Sequence, residues 1–331
     1  MFQRLLARPS ICAIAALASL AVVAITVTPA TTLAQSTPQP PPTGLVSFRQ
    51  PDGLIVSTGN LYFTSHDSST AAVWRAAQDA ISGQEILLYS EPGARFGDIV
   101  FAFVDGDWWG YFFAQNAGTI AIKRVRLTGG AVAVVATVDD VDVANSHRNL
   151  ATDGTNLYWQ DATAVRKMPI HGGASIVLDP TTPSTPTAGI ELLNGNVIYA
   201  SVAAIRFVPT SGAITSPLVR TIVTAASRVT ALHAVSGGIF WGEQSGAVRS
   251  HIGSATTTLS SAGLVPTSVW SNATPLASPD VWTECGAQAC NLQVRTVFGT
   301  WSTPIGTDAL GATVAASGKL FWGDAAGVHR Q

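Results

Sequence analysis

The stretch TNLYWQDATAVRKMPIHGG, residues 155–173, sets an apolar run closed by Trp159 ahead of Asp161 and Arg166. An acid and a base beside a tryptophan read equally well as a reactive site or as one copy of a building block. Counting decides between them, because a catalytic group normally occurs once and a structural device recurs at the period of a repeat. The aromatic that closes the apolar run returns as Phe63, Phe113, Trp159, Tyr199, Trp241, Trp282 and Trp322. The spacings are 50, 46, 40, 42, 41 and 40 residues. A period near 43 is that of a four-stranded propeller blade.

The flanks repeat too. A turn signal with glycine stands upstream of most anchors (STG at 57, VDG at 104, TDG at 152, LNG at 193, VSG at 235, ASG at 316). Tight turns of this kind need glycine where φ is positive. Downstream, an aliphatic residue leads into arginine in all seven copies: Arg75, Arg124, Arg166, Arg206, Arg249, Arg295 and Arg330. Two residues after the anchor, the four Trp copies carry an acid: Asp161, Glu243, Glu284 and Asp324. A hairpin accounts for the pattern, with the aromatic strand turning just after the acid and the next strand returning with arginine beside it. Read as a partly exposed pair, acid and arginine contribute at most about 1 kcal/mol, whereas truncating a packed Trp costs about 3 to 5 kcal/mol. Trp159→Ala is therefore expected to lower the melting temperature markedly and Asp161→Ala to change it little.

Each unit reads as an inner strand, the aromatic strand, the arginine strand and an outer strand. The fold class expected is an all-β, seven-bladed β-propeller; six or eight blades would follow if the irregular second and sixth copies were misread. The seventh copy ends after its arginine strand, and TGLVSFRQ, residues 43–50, is a strand without a sheet. Pairing the two closes the ring and removes both edges. Residues 71–82, AAVWRAAQDAIS, are the one candidate for a short helix.

The runs Leu157-Tyr158-Trp159-Gln160-Asp161 and Val281-Trp282-Thr283-Glu284 resemble the YWTD-type repeats of secreted and receptor β-propellers, and more loosely the repeats of bacterial exported propellers. The resemblance implies a structural role for the motif residues. It also implies six blades, from which seven copies depart. It says little about function, since propellers serve as enzymes, lectins and binding platforms.

The chain of 331 residues carries a net charge of −2, with 47% hydrophobic and 11% charged residues. This composition excludes disorder, and the scarcity of Lys and Arg excludes the basic footprint of a nucleic-acid binder. Arg4 and Arg8 precede the uncharged run 11–27, so residues 1–34 read as a signal peptide or, uncleaved, an N-terminal membrane anchor. Residues 35–43, with four prolines, read as an extended linker. The propeller then spans 44–331, secreted or held at the cell envelope and monomeric. Cys285 and Cys290, separated by four residues at the turn of copy six, are expected to form a disulfide in an oxidising compartment.

Candidates for binding are what the repeat leaves over. Trp108 and Trp109 exceed the blade pattern and could stack on a sugar or peptide; packing into the core is the competing reading. Asp139, Asp140 and Asp142, with His147 behind them, form the densest acidic cluster. Calcium needs about six oxygens, so a solvated interblade loop is the expectation and structural calcium the alternative, with no other cofactor. The six histidines show no spacing that gathers two on one metal, and no catalytic motif stands out. The function expected is a non-catalytic scaffold for a protein, peptide or polysaccharide. The alternative is a hydrolase or lyase whose site at the channel mouth is assembled from several blades.

Overall fold

The computed structural model describes residues 44–47, 49, 51–57, 59–67, 69–143, 148–180, 188–212, 219–261, 263–271, 280–296, 299–306, 311–314 and 319–330. The chain divides into Met1–Gln39 and Pro40–Gln331, and all of these strands lie in the second unit. They form seven four-stranded antiparallel sheets, each taking consecutive strands in order from the inside out, save for one closure. The inner strands are Pro51–Ser57, Ala94–Val104, Leu150–Thr152, Ile190–Leu193, Val229–Val235, Val265–Trp270 and Gly311–Val314. Each lies against the next, and the last lies against the first, so the sheets close into a ring. The architecture is a seven-bladed β-propeller.

Blade 7 takes three strands from the end of the chain and its outer strand, Gly44–Ser47, from the beginning. Gly44 pairs with Arg330 and Leu45 with His329, so the ring is closed as its edges require. Residues 71–77 of the run read as a helix lie in the third strand of blade 1, Thr70–Ala77. Val73 and Trp74 suit a pleated sheet, and pairing on both sides with Asn60–His66 and Ile86–Pro92 overrides the alanine-rich local pattern.

The core is divided as the fold is. Seven buried clusters each join two neighbouring blades, as when Trp241 and Leu232 of blade 5 meet Ile198 and Ile205 of blade 4. Trp159, Tyr199, Trp241, Trp282, Trp322 and Phe63 all pack toward the preceding blade. Blade 2 is shifted by one residue: Phe112 fills this role and Phe113 faces blade 3. The run Tyr111-Phe112-Phe113 presents three aromatics in succession, and only the ladder, which sets Ile99 opposite Phe112, fixes the phase.

The structure corrects the reading of the acid and arginine pair. Asp161, Glu243, Glu284 and Asp324 are buried, not partly exposed, at 2%, 0%, 1% and 3% exposure. Nor is arginine the repeating element. The position directly opposite the anchor holds Trp74, Lys123, Arg166, Arg206, Arg249, Gln293 and His329 in turn. Arg295 lies two residues beyond it and pairs with Asp280 at 3.7 Å. Arg330 lies one beyond and donates to the backbone of Gln78 and Ala80 in blade 1. Hairpin length does not set this: Trp159 and Trp322 both face a residue seven positions on, and that residue is arginine in blade 3 and histidine in blade 7.

What repeats is a donor opposite the anchor and an acceptor to receive it. Trp74 donates to Ser65, Arg166 to Asp161 and Gln293 to Glu284; Arg249 and His329 lie 2.8 and 2.9 Å from Glu243 and Asp324. In blades 2 and 4 the residue two past the anchor is Ala114 or Ser201. There Lys123 and Arg206 turn instead to an acid on the outer strand of the preceding blade, Glu91 and Asp179. Residues i and i+2 of a strand share a face, so acid, aromatic and donor lie together on one side of the sheet.

The pairing of acid with Trp follows from the same geometry. Trp241 and Trp282 donate their indole N–H to Glu243 and Glu284, at 3.0 and 3.3 Å. Aspartate is too short for that and caps the turn: Asp161 accepts from the backbone of Thr163 and Ala164, and Asp324 from Ala326 and Gly327.

Candidate functional site

The residues singled out by sequence fall in two places, and a third site emerges only in three dimensions. Trp109 is buried in the interface of blades 2 and 3, beneath the guanidinium groups of Arg124 and Arg126. Trp108 lies outside. It faces Phe103 across the ladder, their rings 5.6 Å apart, at 45% and 57% exposure. Both stand at the tip of a two-residue turn in which Asp105 and Gly106 take φ of 54° and 82°, the left-handed pair such turns require. Arg126 and Asp107, 3.1 Å apart, lie on the opposite face of the sheet, with Trp109.

Asp139 and Asp140 border a cavity of about 160 Å³ between blades 2 and 3, which also reaches Trp159, Asp161 and Arg166. Asp142 lies close by along the chain and is exposed. His147 lies outside the described residues. Among the described residues, no three His, Cys, Asp or Glu side chains gather as metal ligands. Burial pushes the Asp161 carboxyl up, but Arg166 and Thr163 outweigh it and hold the group below the ordinary carboxylate range. Trp159, Asp161 and Arg166 thus serve the blade, and Asp139 and Asp140 border the same cavity.

The third site is the channel. A cavity of about 460 Å³ is lined by the inner strands of blades 1 to 6. At one register position, opposite the residue before each anchor, blades 1 to 3 carry Ile55, Val100 and Ala151. Blades 4, 5 and 6 carry Glu191, His233 and Trp270 at the same position. Glu191 Oε1 lies 3.2 Å from His233 Nδ1 and 3.4 Å from Arg148 Nη1. The far side of the imidazole meets the Ser271 carbonyl at 3.0 Å, and Trp270 lies nearly parallel to the ring at 6.2 Å. Burial pushes the Glu191 carboxyl up, and His233 and Arg148 more than offset this, so it stays ionised below the usual carboxylate range.

Arg148 reaches this cluster from a strained backbone. Its φ of 55° is left-handed, a conformation costing about 1 to 2 kcal/mol for a residue with a side chain. Asp98 accepts its N–H, and its carbonyl accepts from Ile190 at 2.7 Å, so neighbours on both sides impose the conformation. Strain held this way tends to mark functional positions. Sequence reading missed Arg148, Glu191, His233 and Trp270 because each stands alone in its blade. The signal that finds Glu191, His233 and Trp270 is the change of chemistry down one register position, from aliphatic to polar or aromatic.

No family model matches this chain, and no curated protein sequence does. Among solved structures, a chain from the crystal structure of a nidogen/laminin complex aligns with a TM-score of 0.52 at 15% identity, covering 75% of this chain and 92% of its own. The computationally designed Ika8 protein aligns with a TM-score of 0.53 at 13% identity, covering 87% of this chain and 99% of its own. The likeness is one of fold. A disulfide joins Cys285 and Cys290, and among the described residues no helix is long and apolar enough to cross a membrane.

Proposed function

We propose that this protein is an exported, non-catalytic propeller that docks a partner at the cell envelope, with the tip of blade 2 as the contact. The observation that carries this reading is the Phe103–Trp108 pair, two large apolar rings held out to solvent on a rigid turn. Large aromatic residues are enriched among the anchors of protein interfaces. A protein is thus favoured over a peptide or polysaccharide. Export is supported by the N-terminal segment 1–34 and by the Cys285–Cys290 disulfide. Closing so short a loop contributes about 2 kcal/mol in the chain-entropy model. Kinship with the YWTD-type propellers belongs to the same proposal and rests on the short motifs and the shared fold.

The test is capture from an envelope extract by the wild-type chain and by a Phe103→Ser/Trp108→Ser variant. A protein retained by the first and lost by the second, with unchanged melting curves, is the expected result. Equal capture by both would remove the tip from the account.

A second reading, a hydrolase or lyase at the channel mouth, has Glu191 and His233 behind it. Their geometry suits recognition better, since the carboxylate already receives His233 and Arg148 and is held ionised rather than poised to give a proton. Turnover of ester or glycoside substrates, abolished by Glu191→Gln, would reverse that preference.

A further inference from the structure

The channel cluster asks for a ligand of its own, independent of the tip of blade 2. It is enclosed by the inner strands of six blades, and about 460 Å³ admits one sugar ring or a chain end rather than a folded partner. Its charged side chains are the Arg148 guanidinium and Glu191 carboxylate, 3.4 Å apart with His233 touching both, and Asp98, whose carboxylate accepts the Arg148 N–H. An anionic ligand would have to separate the Arg148–Glu191 pair and face the Glu191 and Asp98 carboxylates, which is costly. A neutral ligand whose groups both donate and accept can insert between Arg148 and Glu191 without leaving either ion unmatched.

Neighbouring hydroxyls on a sugar ring have this property, since one accepts from a guanidinium while the next donates to a carboxylate. The same rings have an apolar face. Trp270 and His233, nearly parallel, supply a flat wall for it, and Ile55, Val100 and Leu192 complete an apolar lining. The left-handed backbone at Arg148, fixed by Asp98 and Ile190, positions the guanidinium before any ligand arrives. Such preorganisation lowers the entropy lost on binding.

We propose that the channel of this propeller is a binding site for a neutral saccharide, gripped at adjacent hydroxyls by Arg148 and Glu191 and stacked against Trp270 and His233.

Isothermal titration calorimetry of the full chain with glucose, galactose, mannose, N-acetylglucosamine, maltose and cellobiose tests this, with glucuronate as the charged arm. At least one neutral sugar should bind. Arg148→Lys and Glu191→Gln should each weaken it by about tenfold or more, the loss expected for a charge-assisted hydrogen bond. Trp270→Phe should keep most of the affinity and Trp270→Leu lose it, while Phe103→Ser and Trp108→Ser should leave it unchanged. Melting curves identify any variant that fails to fold, and the Arg148→Lys and Trp270→Phe pair then decides the matter. The proposal is overturned if no neutral sugar binds at millimolar concentration. It is equally overturned if glucuronate binds more tightly than every neutral sugar, or if folded Arg148→Lys binds as the wild type does.

Discussion

Replacing Trp241 by alanine will lower the folding free energy by about 4 kcal/mol, within the range for a fully packed tryptophan. The indole is 0% exposed and fills the interface of blades 4 and 5 between Leu232 and Ile198. It also donates to Glu243, which is 0% exposed and lies 2.8 Å from Arg249, so truncation removes one donor from a buried carboxylate as well as the ring. Urea denaturation of wild type and variant measures the difference. Trp159 offers an internal control, because its indole nitrogen meets no acceptor among the described residues. Trp241→Phe should therefore cost more than Trp159→Phe, by about 1.5 to 3 kcal/mol, the contribution of a hydrogen bond to a charged group. Equal costs would show that the indole to Glu243 bond contributes nothing.

Asp161→Ala is the second large effect, at about 3 kcal/mol, the range for breaking a buried ion pair from one side. This reverses the expectation drawn from sequence, where the residue seemed to sit on an exposed turn. In the structure one carboxylate oxygen accepts from Thr163 and Ala164 and the other receives Arg166. Asp161→Asn keeps an acceptor for the turn and loses the ion pair, so it should fall between wild type and alanine. Acidification gives the same information by another route. The Asp161 and Asp324 carboxyls are held below the ordinary range in the folded chain, the latter by His329 and turn N–H groups acting against burial. On acidification the unfolded chain takes up these protons first. The stability they contribute is thus present at neutral pH, declines once pH falls into the ordinary carboxylate range, and is gone below the folded values. Asp161→Asn should flatten that acid limb; an unchanged slope would place Asp161 outside the stability of the blade.

The period, the blade count and the closing strand were legible because each blade must bury one large aromatic in the same interface. A requirement repeated seven times leaves a mark that survives variation in loop length. The phase within blade 2 was not legible, since three adjacent aromatics fit the anchor equally well until pairing chooses Phe112. The repeated arginine was partly an accident of composition near the returning strand. The true constraint is a hydrogen-bond donor opposite the anchor, and Trp74, Gln293 and His329 satisfy it as arginine does. Acids at strand ends looked exposed because sequence does not show the neighbouring blade that covers them. Trp108 was legible as a surplus aromatic, while its partner Phe103 was hidden in an ordinary inner strand. Glu191 and His233, 42 residues apart, meet only because the ring brings the same register position of successive blades to one channel.

The closing strand also fixes the order in which the molecule can be completed. Gly44–Ser47 is made before every other strand and joins its sheet only when Gly327–Arg330 exists to receive it. Until then blade 7 lacks its outer strand, and the earliest segment of the ring waits for the latest. Six blades can condense one after another through local hairpins, whereas the final step is a contact between opposite ends of the sequence, the slowest kind to find. Circular permutation that moves Gly44–Ser47 to follow Arg330 would make that last step as local as the rest.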